Sequence, residues 1–353
     1  MPNDGRNAMI SKDSRSLEIL DAVVRLNIET GKPVSSGLVE RFLQRAVSSA
    51  TIRGVMKNLE NAGYLHQPHT SAGRLPTDRG YRVFVDHLRR GWALRAPEVP
   101  QEMRLAASRD LAAAAGHPDR IRLLAGLLNR LTRNISIIVG PSLDGVRIQR
   151  IELYPRSGTR VLMVVIMASG QVRTGLVTLR REHGRPVMEQ AARLITDRTR
   201  DRTVGEVRRG LLDNLDIVHT PVTSCAADIA RGGKSLFQDA ERGELSLEGV
   251  ASVLDEPEFE EPEPLKALLR FIESPAAIHQ ALETLDEQGS GEVDVWIGDE
   301  NPLGNLRQFS MLTGRFEMDG RQGRLAVLGP RRMWYQRALL GIDAMRRIMN
   351  ATP

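Results

Sequence analysis

Apolar and polar positions in the first eighty residues alternate with the period of an α-helix. A first helical stretch places its apolar residues on one face, namely Leu17, Leu20, Val23, Val24 and Ile28. Gly31-Lys32-Pro33 interrupts this pattern, and a short second helix is predicted over 36–43. A third helix is predicted to start at Ser49, because Ser48 can act as its N-cap residue. Its apolar stripe consists of Ile52, Val55, Met56, Leu59 and Ala62.

A hairpin is predicted directly after the third helix. Gly63 provides a stop for that helix, Tyr64 and Leu65 resemble a short strand, and residues 69–74 form a loop of small residues with one arginine. Pro76 and Thr77 then open another helix. Three helices followed by a hairpin predict an N-terminal winged helix-turn-helix, in which the third helix lies in the DNA major groove.

The remainder of the chain mixes strand and helix signals. A helix is predicted over 118–132, and the predicted strands are 135–139, 147–154, 160–167, 172–178, 292–297, 309–316 and 324–328. A helix closes the chain over 332–350, and a helix-rich block separates the two groups of strands. The pattern predicts an α+β multidomain protein in which one sheet, continued by 172–178, is interrupted by an inserted helix-rich domain and then completed.

Positive charge is concentrated at the N-terminal end of the chain. Residues 1–95 contain 15 Lys and Arg against 9 Asp and Glu, a net charge of +6, whereas the whole chain of 353 residues carries +5. A basic segment that bears a helix and a hairpin is typical of a protein that displaces counterions from DNA phosphates. The alternative interpretation is a small helical domain whose polar face is merely solvated.

Eight residues are predicted to contact DNA. Arg53 and Lys57 lie on the polar face of the third helix and are the main candidates. The other candidates on the helix are contacts to bases or sugars, and those on the hairpin are groove or phosphate contacts; they are Ser49, Thr51, Asn58, His69, Ser71 and Arg74.

Nothing in the sequence indicates an enzyme, a cofactor, a metal or a membrane segment. Cys225 is the one cysteine and has no motif around it, and the seven histidines do not fall at metal-ligand spacing. The first residues lack the order of a signal peptide, and no apolar run approaches the length of about 18 to 20 residues that spans a bilayer. A cytoplasmic regulator without catalytic residues is therefore expected.

Several short motifs resemble those of the HrcA heat-inducible transcription repressors. SSATIR, LENAGYL, QPHTSAGR and PTDRGYR stand nearly unbroken over 48–82, and IGDEN at 297–301 and LGPRRMWY at 328–335 resemble the C-terminal motifs of that family. The resemblance implies a winged-helix domain at 1–95, a GAF-like domain at 101–189 and 289–353, and an inserted dimerisation domain at 190–288.

The resemblance also implies the function. It predicts a negative regulator of class I heat-shock genes, those of the chaperonin and DnaK-type chaperones, which binds the CIRCE inverted repeat as a homodimer and is kept active by GroEL. The chain departs from the family pattern at Ser35-Ser36-Gly37 and at Gly54-Val55. An alternative function is a ligand-gated regulator that senses a small molecule through its GAF-like domain.

Two other segments allow more than one interpretation. The C-terminal motifs are either a contact surface or structural elements, in which Trp334 and Tyr335 anchor the core. The acidic segment 255–263 is either a mobile loop or a device that keeps the rest of the protein off DNA.

Overall fold

The protein is a mixed α+β molecule. The computed structural model describes residues 14–44, 46–69, 72–94, 119–157, 159–211, 215, 220–238, 240–254, 256, 258 and 262–350. From its sequence, the chain is also predicted to have a linker at 95–100 and a helix that resumes near residue 102; both lie outside these ranges.

The first region contains the predicted three helices and hairpin. Its elements are α1 Ser14–Thr30, α2 Ser36–Phe42, α3 Ser49–Asn61, β1 Leu65–His66, β2 Leu75–Pro76 and α4 Asp78–Leu94. β1 and β2 pair antiparallel, with Leu65 opposite Pro76. Most of the predicted apolar stripes of α1 and α3 lie in the core of this region. Ala62, predicted as part of the stripe of α3, is instead the C-cap of that helix and is exposed.

A five-stranded antiparallel sheet forms the centre of the second region. Its strands stand in the order β7 Leu245–Glu248, β3 Ile135–Val139, β10 Arg321–Pro330, β9 Phe309–Met318 and β8 Val293–Ile297. α5 Arg120–Thr132 and α10 Tyr335–Asn350 cover one face, while α8 Pro262–Ile272 and α9 Pro275–Gln288 cover the other. All five residues of β3 are buried, because both faces of the sheet are covered by helices.

A separate unit lies in the chain between β3 and β7. β4 Ile148–Ser157, β5 Arg160–Met167 and β6 Val172–Thr178 form a three-stranded antiparallel sheet, with α6 Arg185–Thr199 packed on β4 and α7 Pro221–Gly232 on β6. The hydrophobic core of this unit draws on residues 143–240 only. Short helical segments occur at Val204–Glu206, Val207–Leu211, Ser235–Gln238, Ala251–Leu254, Gly298–Glu300 and Gly304–Leu306.

The prediction that residues 172–178 continue the sheet of β3 is wrong. β3 pairs with β10 and β7 instead, and β4, β5 and β6 pair only with one another. Strand signals carry no information on partners, and the four-residue β7 was not predicted at all. The predicted boundary at 189 and 190 therefore cuts one core, and α8 and α9, which were assigned to the insertion, pack on the five-stranded sheet.

The first region docks on the five-stranded sheet through two tyrosines. The rings of Tyr81 on α4 and Tyr335 on α10 lie 5.9 Å apart, and both side chains are buried. The Tyr81 hydroxyl donates to Oδ1 of Asn27 on α1 at 2.5 Å. The Tyr335 hydroxyl donates to the carbonyl oxygen of Arg331 and lies 2.7 Å from Oγ of Ser310. Burial raises the pKa of both tyrosines, so both hydroxyls remain protonated donors.

Ion pairs and backbone bonds surround this aromatic contact. Nε of Arg82 donates to Oε1 of Glu300 at 2.9 Å, and the backbone N–H of Asp299 donates to Asp78 at 2.9 Å. Arg331 lies 3.4 Å from the other oxygen of Asp78. The motif at 76–82 thus meets both C-terminal motifs in space.

The structural interpretation of the C-terminal motif holds for one of its two aromatic residues. Tyr335 is fully buried, as predicted, whereas the prediction that Trp334 anchors the core is wrong, since 54% of it is exposed. Trp334 precedes α10, and the first turn of that helix directs its neighbour Tyr335 inward instead.

Tyr335→Phe should lower the free energy of unfolding by about 1 to 2 kcal/mol, because it removes a buried hydroxyl that joins α10 to β9. Urea unfolding followed by circular dichroism measures this change. Ser169→Ala is the control, since it also removes one hydroxyl, but from an exposed turn. Equal destabilisation by the two variants would contradict the assigned role of the Tyr335 hydroxyl.

Candidate nucleic-acid interface

The N-terminus of α3 is fixed by its cap. Oγ of Ser48 accepts a hydrogen bond from the backbone N–H of Thr51, and its hydroxyl lies 3.0 Å from that of Thr51. This confirms Ser48 as the N-cap residue and Ser49 as the first residue of the helix. The cap satisfies one of the unpaired N–H groups at the start of the helix, so the first turn is held in place.

One face of α3 is buried and the other is open to solvent. Ile52, Met56 and Leu59 are buried against α1 and α2. The opposite face presents exposed polar side chains at helical spacing, which are Thr51, Arg53, Lys57, Asn58 and Asn61. No carboxylate among the described residues lies within ion-pairing distance of Arg53, so its charge faces solvent. Four of the predicted DNA contacts therefore share one accessible face.

Ser49 has a different environment from the other candidates on α3. Its hydroxyl lies 3.0 Å from that of Ser36 on α2, and its side chain is only partly exposed. The pair joins the N-terminal turns of α2 and α3. A base or phosphate contact by Ser49 would have to share a hydroxyl that already has a partner.

Gly54 lies at the centre of the exposed face of α3. A Cβ atom built on this residue would meet no other atom within 4 Å. The glycine is therefore not required by packing inside the protein. Its absent side chain leaves backbone open between Arg53 and Lys57, and such openings allow a ligand to approach the helix closely.

The hairpin loop is held by contacts within it. Nε2 of Gln67 donates to the carbonyl oxygen of Ala72 at 2.9 Å, and the backbone N–H of Ala72 donates to the carbonyl oxygen of His69 at 2.9 Å. The side chains of His66 and His69 are exposed on this hairpin. Ser71, the other predicted contact at the loop tip, lies outside the described residues.

Arg74 fastens the hairpin to the rest of the region. Its backbone exchanges two hydrogen bonds of 2.9 Å with Val34, which follows α1. Gly73 permits this contact, because a Cβ atom there would lie 2.4 Å from the Val34 backbone. Val34 and Arg74 thus form an antiparallel bridge, which ties the hairpin to the segment before α2.

The side chain of Arg74 points back to α3. Its Nη2 lies 3.2 Å from Oε2 of Glu60, and only 13% of the Arg74 side chain is exposed. Lys57 approaches the same Glu60 oxygen at 3.3 Å but remains 61% exposed. Partial burial opposes ionisation of Glu60, but hydrogen bonds from Lys57 and Arg74 outweigh it and lower the pKa of this carboxyl. Glu60 is not among the predicted contacts, and its only signal in the sequence is its position three residues after Lys57.

Arg79 closes the other end of α3. Its Nη1 donates to the carbonyl oxygen of Ala62 at 3.3 Å, and its guanidinium lies 4.9 Å from the centre of the Tyr64 ring. A cation at the C-terminal carbonyl groups of a helix is favourable for the helix dipole. Both ends of α3 are therefore tied to neighbouring chain segments.

The family of this chain follows from its similarity to known proteins. A family model described as the HrcA protein C terminal domain matches residues 119–339, which is more than half of the chain. The chain belongs to the HrcA family. By this membership it is a heat-inducible transcription repressor, and the prediction that it is not an enzyme is confirmed.

Two relatives in this HrcA family, each named heat-inducible transcription repressor HrcA, match over nearly the full chain. The one from Chlorobium phaeovibrioides is 29% identical and covers 96% of both chains. The one from Symbiobacterium thermophilum is 32% identical over 94% of this chain and 96% of its own. A crystal structure of a hypothetical protein at 2.2 Å resolution matches with a TM-score of 0.72 and 26% identity, covering 96% of this chain and 97% of the other.

The described residues give no sign of a metal site or a membrane-spanning helix. They contain no group of three or more His, Cys, Asp and Glu side chains placed to hold a metal ion. Within the same ranges, no helix combines the length and apolar character that crossing a membrane requires. Cys225 is buried, and burial raises the pKa of its thiol to about 11, so the thiol stays protonated at neutral pH.

Gly54→Ala should raise the free energy of unfolding by about 1 kcal/mol, because it improves helix propensity where the added methyl group meets open space. Thermal melting of the first region in the full chain measures the change. Gly63→Ala is the matched control and should lower stability, since Gly63 has φ +80° and an added Cβ would crowd Arg79. A lowered melting temperature for Gly54→Ala would refute this account of α3.

Proposed function

We propose that this protein represses transcription by binding double-stranded DNA through the exposed face of α3. The observation that carries the proposal is the placement of Arg53 beside Lys57 on a helix whose other face is buried and whose neighbour is a hairpin. In this proposal residues 14–94 act as a winged helix-turn-helix, and α3 enters the major groove. Repression follows from occlusion, because a protein bound at a promoter blocks initiation.

The candidate residues divide into those that contact DNA directly and those that position the contacting elements. Thr51, Arg53, Lys57 and Asn58 contact bases and phosphates from the outer face of α3, and their exposure supports this role. On the hairpin, His69 and Ser71 reach the adjacent groove or backbone. Ser49 contributes from the start of the helix, where its hydroxyl also contacts Ser36.

Arg74 is assigned to positioning rather than to phosphate binding. Its guanidinium bonds to Glu60 through both Nε, at 3.3 Å, and Nη2, at 3.2 Å, and is mostly shielded from solvent. Lys57 shares Glu60 but is exposed, so it can turn to a phosphate while Arg74 neutralises the carboxylate. Glu60 therefore sets the position of the hairpin relative to α3.

The operator and the regulation are proposed on the family resemblance. The operator is the CIRCE inverted repeat, the controlled genes are those of class I heat shock, and GroEL keeps the repressor active. The site of action is the cytoplasm, where the promoter lies. The chain departs from the family pattern at Gly54-Val55 in the centre of α3, so the operator bases that it prefers are expected to differ from those of its relatives.

The proposed division of the chain after the first region follows the two larger sheets. We place the inserted unit between β3 and β7, at about 141–244, and the GAF-like unit at 119–140 and 245–350, in place of the boundaries expected from sequence. An inverted repeat presents two equal half-sites, which a homodimer matches by its own twofold symmetry.

The exposed face of the three-stranded sheet is the proposed dimer surface. Tyr154, Leu162 and Leu176 are direct cross-strand neighbours and form one apolar row across it. Tyr154 is 49% exposed and Leu176 is 55% exposed, although the other face of the sheet is buried. A second copy of this chain, placed on the row by a twofold axis, would cover it.

Arg53→Ala should weaken binding to a CIRCE duplex more than tenfold and flatten the dependence of log affinity on log salt by about one unit. Arg74→Ala should lower the melting temperature and weaken binding, but leave the salt slope unchanged because its charge is already paired. Fluorescence anisotropy at two salt concentrations, with CIRCE and scrambled duplexes, measures both effects.

Arg193→Ala is the charge-matched control, since Arg193 is an exposed arginine on α6 of the inserted unit. It should bind DNA like the unmodified chain. Equal affinity of the unmodified chain for CIRCE and scrambled duplexes would remove the operator proposal. A flattened salt slope for Arg74→Ala would instead return Arg74 to the phosphate contacts.

Leu176→Glu should convert the protein to a monomer, because it places a charge in the apolar row without disturbing a buried position. Light scattering after size exclusion measures the mass. Ser169→Glu, which adds the same charge in the exposed turn before β6, should leave the dimer intact. A monomeric unmodified chain, or a dimer that survives Leu176→Glu, would show that this face is not the interface.

A further inference from the structure

A concave site lies at the C-terminal end of α5, away from the proposed DNA surface. It has a volume of about 480 Å³, which is within the range of small-molecule sites. The walls come from the end of α5, the end of β10, the start of α10 and the segment after β7. Polar and apolar groups share the lining about equally. Its charged members are three arginines and one carboxylate, namely Arg133, Arg332, Arg337 and Glu256, and Trp334 is its aromatic member.

Two of these arginines carry charge that the described residues do not neutralise. The hydrogen bonds of Arg337 end on the carbonyl oxygens of Leu131, at 2.7 Å, and Arg130, at 3.1 Å, which are neutral acceptors. Within the described part of the chain, no carboxylate lies within 4 Å of Arg133 or Arg337. Burial and the adjacent charge of Arg133 lower the pKa of Arg337. Two neighbouring cations in one cavity wall are stabilised by an anion between them.

The third arginine in the wall differs from these two. Arg332 is bound by the carboxylates of Glu256 and Glu258, two described residues of the acidic segment. Its Nη1 also donates to the carbonyl oxygen of Ile28, near the end of α1, at 3.4 Å. The cavity wall is therefore continuous with the joint between the first region and the five-stranded sheet.

Trp334 adds an apolar surface to the cationic wall. More than half of this residue is exposed, although large aromatic residues are usually buried. Arg133 also lines the cavity and ends α5 in the left-handed conformation, with φ +57°. Cations next to an exposed aromatic ring suit a ligand with a charged end and a flat apolar end.

We infer that this cavity binds a small organic anion, a carboxylate or phosphate monoester whose charge lies between Arg133 and Arg337 and whose apolar part stacks on Trp334. The inference goes beyond DNA binding and does not depend on it. Arg332 in the same wall also bonds to Ile28 of α1, so a ligand in the cavity would lie next to the contact between the first region and the five-stranded sheet. It gives a site to the ligand-gated alternative.

Phenyl phosphate, inorganic phosphate and neutral benzyl alcohol are the probes, titrated into the full chain by isothermal calorimetry at low salt. Phenyl phosphate should bind once per chain and about tenfold more tightly than phosphate, and benzyl alcohol should not bind. Arg133→Gln should weaken both phosphates about tenfold. Trp334→Ala should remove the preference for phenyl phosphate and leave phosphate affinity unchanged.

Two controls separate this site from the DNA surface and from general charge. Arg53→Ala should leave phenyl phosphate binding intact even if it abolishes DNA binding, and Arg193→Gln should change nothing. Unchanged binding in Arg133→Gln, or equal binding of benzyl alcohol, would overturn the inference. So would an acidic peptide that binds tenfold more tightly than phenyl phosphate with the same dependence on Arg133, since the occupant would then be a protein.

Discussion

The buried contact between Tyr81 and Tyr335 determines how the first region is placed on the rest of the protein. Each hydroxyl has a hydrogen-bond acceptor in its own region, Asn27 for Tyr81 and the Arg331 carbonyl for Tyr335. The aromatic rings then pack across the joint, where water is excluded. The partly buried ion pair between Arg82 and Glu300 lies beside this contact and joins α4 to the segment after β8.

On the face of α3 that is proposed to bind DNA, some cationic side chains hold the hairpin and others are free to contact a ligand. Glu60 accepts hydrogen bonds from Lys57 and Arg74. The bond from Arg74 holds the hairpin to α3. Arg53 has no such partner among the described residues and is the strongest candidate for a contact with DNA. Gly54 beside it leaves the helix backbone open. Recognition by this face therefore depends on a few side chains mounted on a helix that is fixed at both ends.

Features that arise within one helix could be predicted from the sequence, and features that depend on pairing across the chain could not. The start of α3, its buried face and its polar face follow from Ser48 and from apolar spacing, and the structure has them where expected. The bond between Arg74 and Glu60 depends on how the hairpin folds back. The pairing of β3 with β10 joins residues nearly two hundred positions apart, so strand signals alone could not separate the two sheets. Trp334 and Tyr335 are equally apolar in sequence, and only the start of α10 decides which one is buried.

The most direct test of the DNA-binding account is site-specific photocrosslinking. Cys225 is buried and is the one cysteine of the chain, so a cysteine introduced at the surface can be labelled selectively. A photoreactive label on Asn58→Cys should crosslink to bases within the two halves of the CIRCE repeat, while the same label on Arg193→Cys should not. Crosslinks from the inserted unit, or none from α3 when the duplex is bound, would contradict the claim that α3 reads the operator.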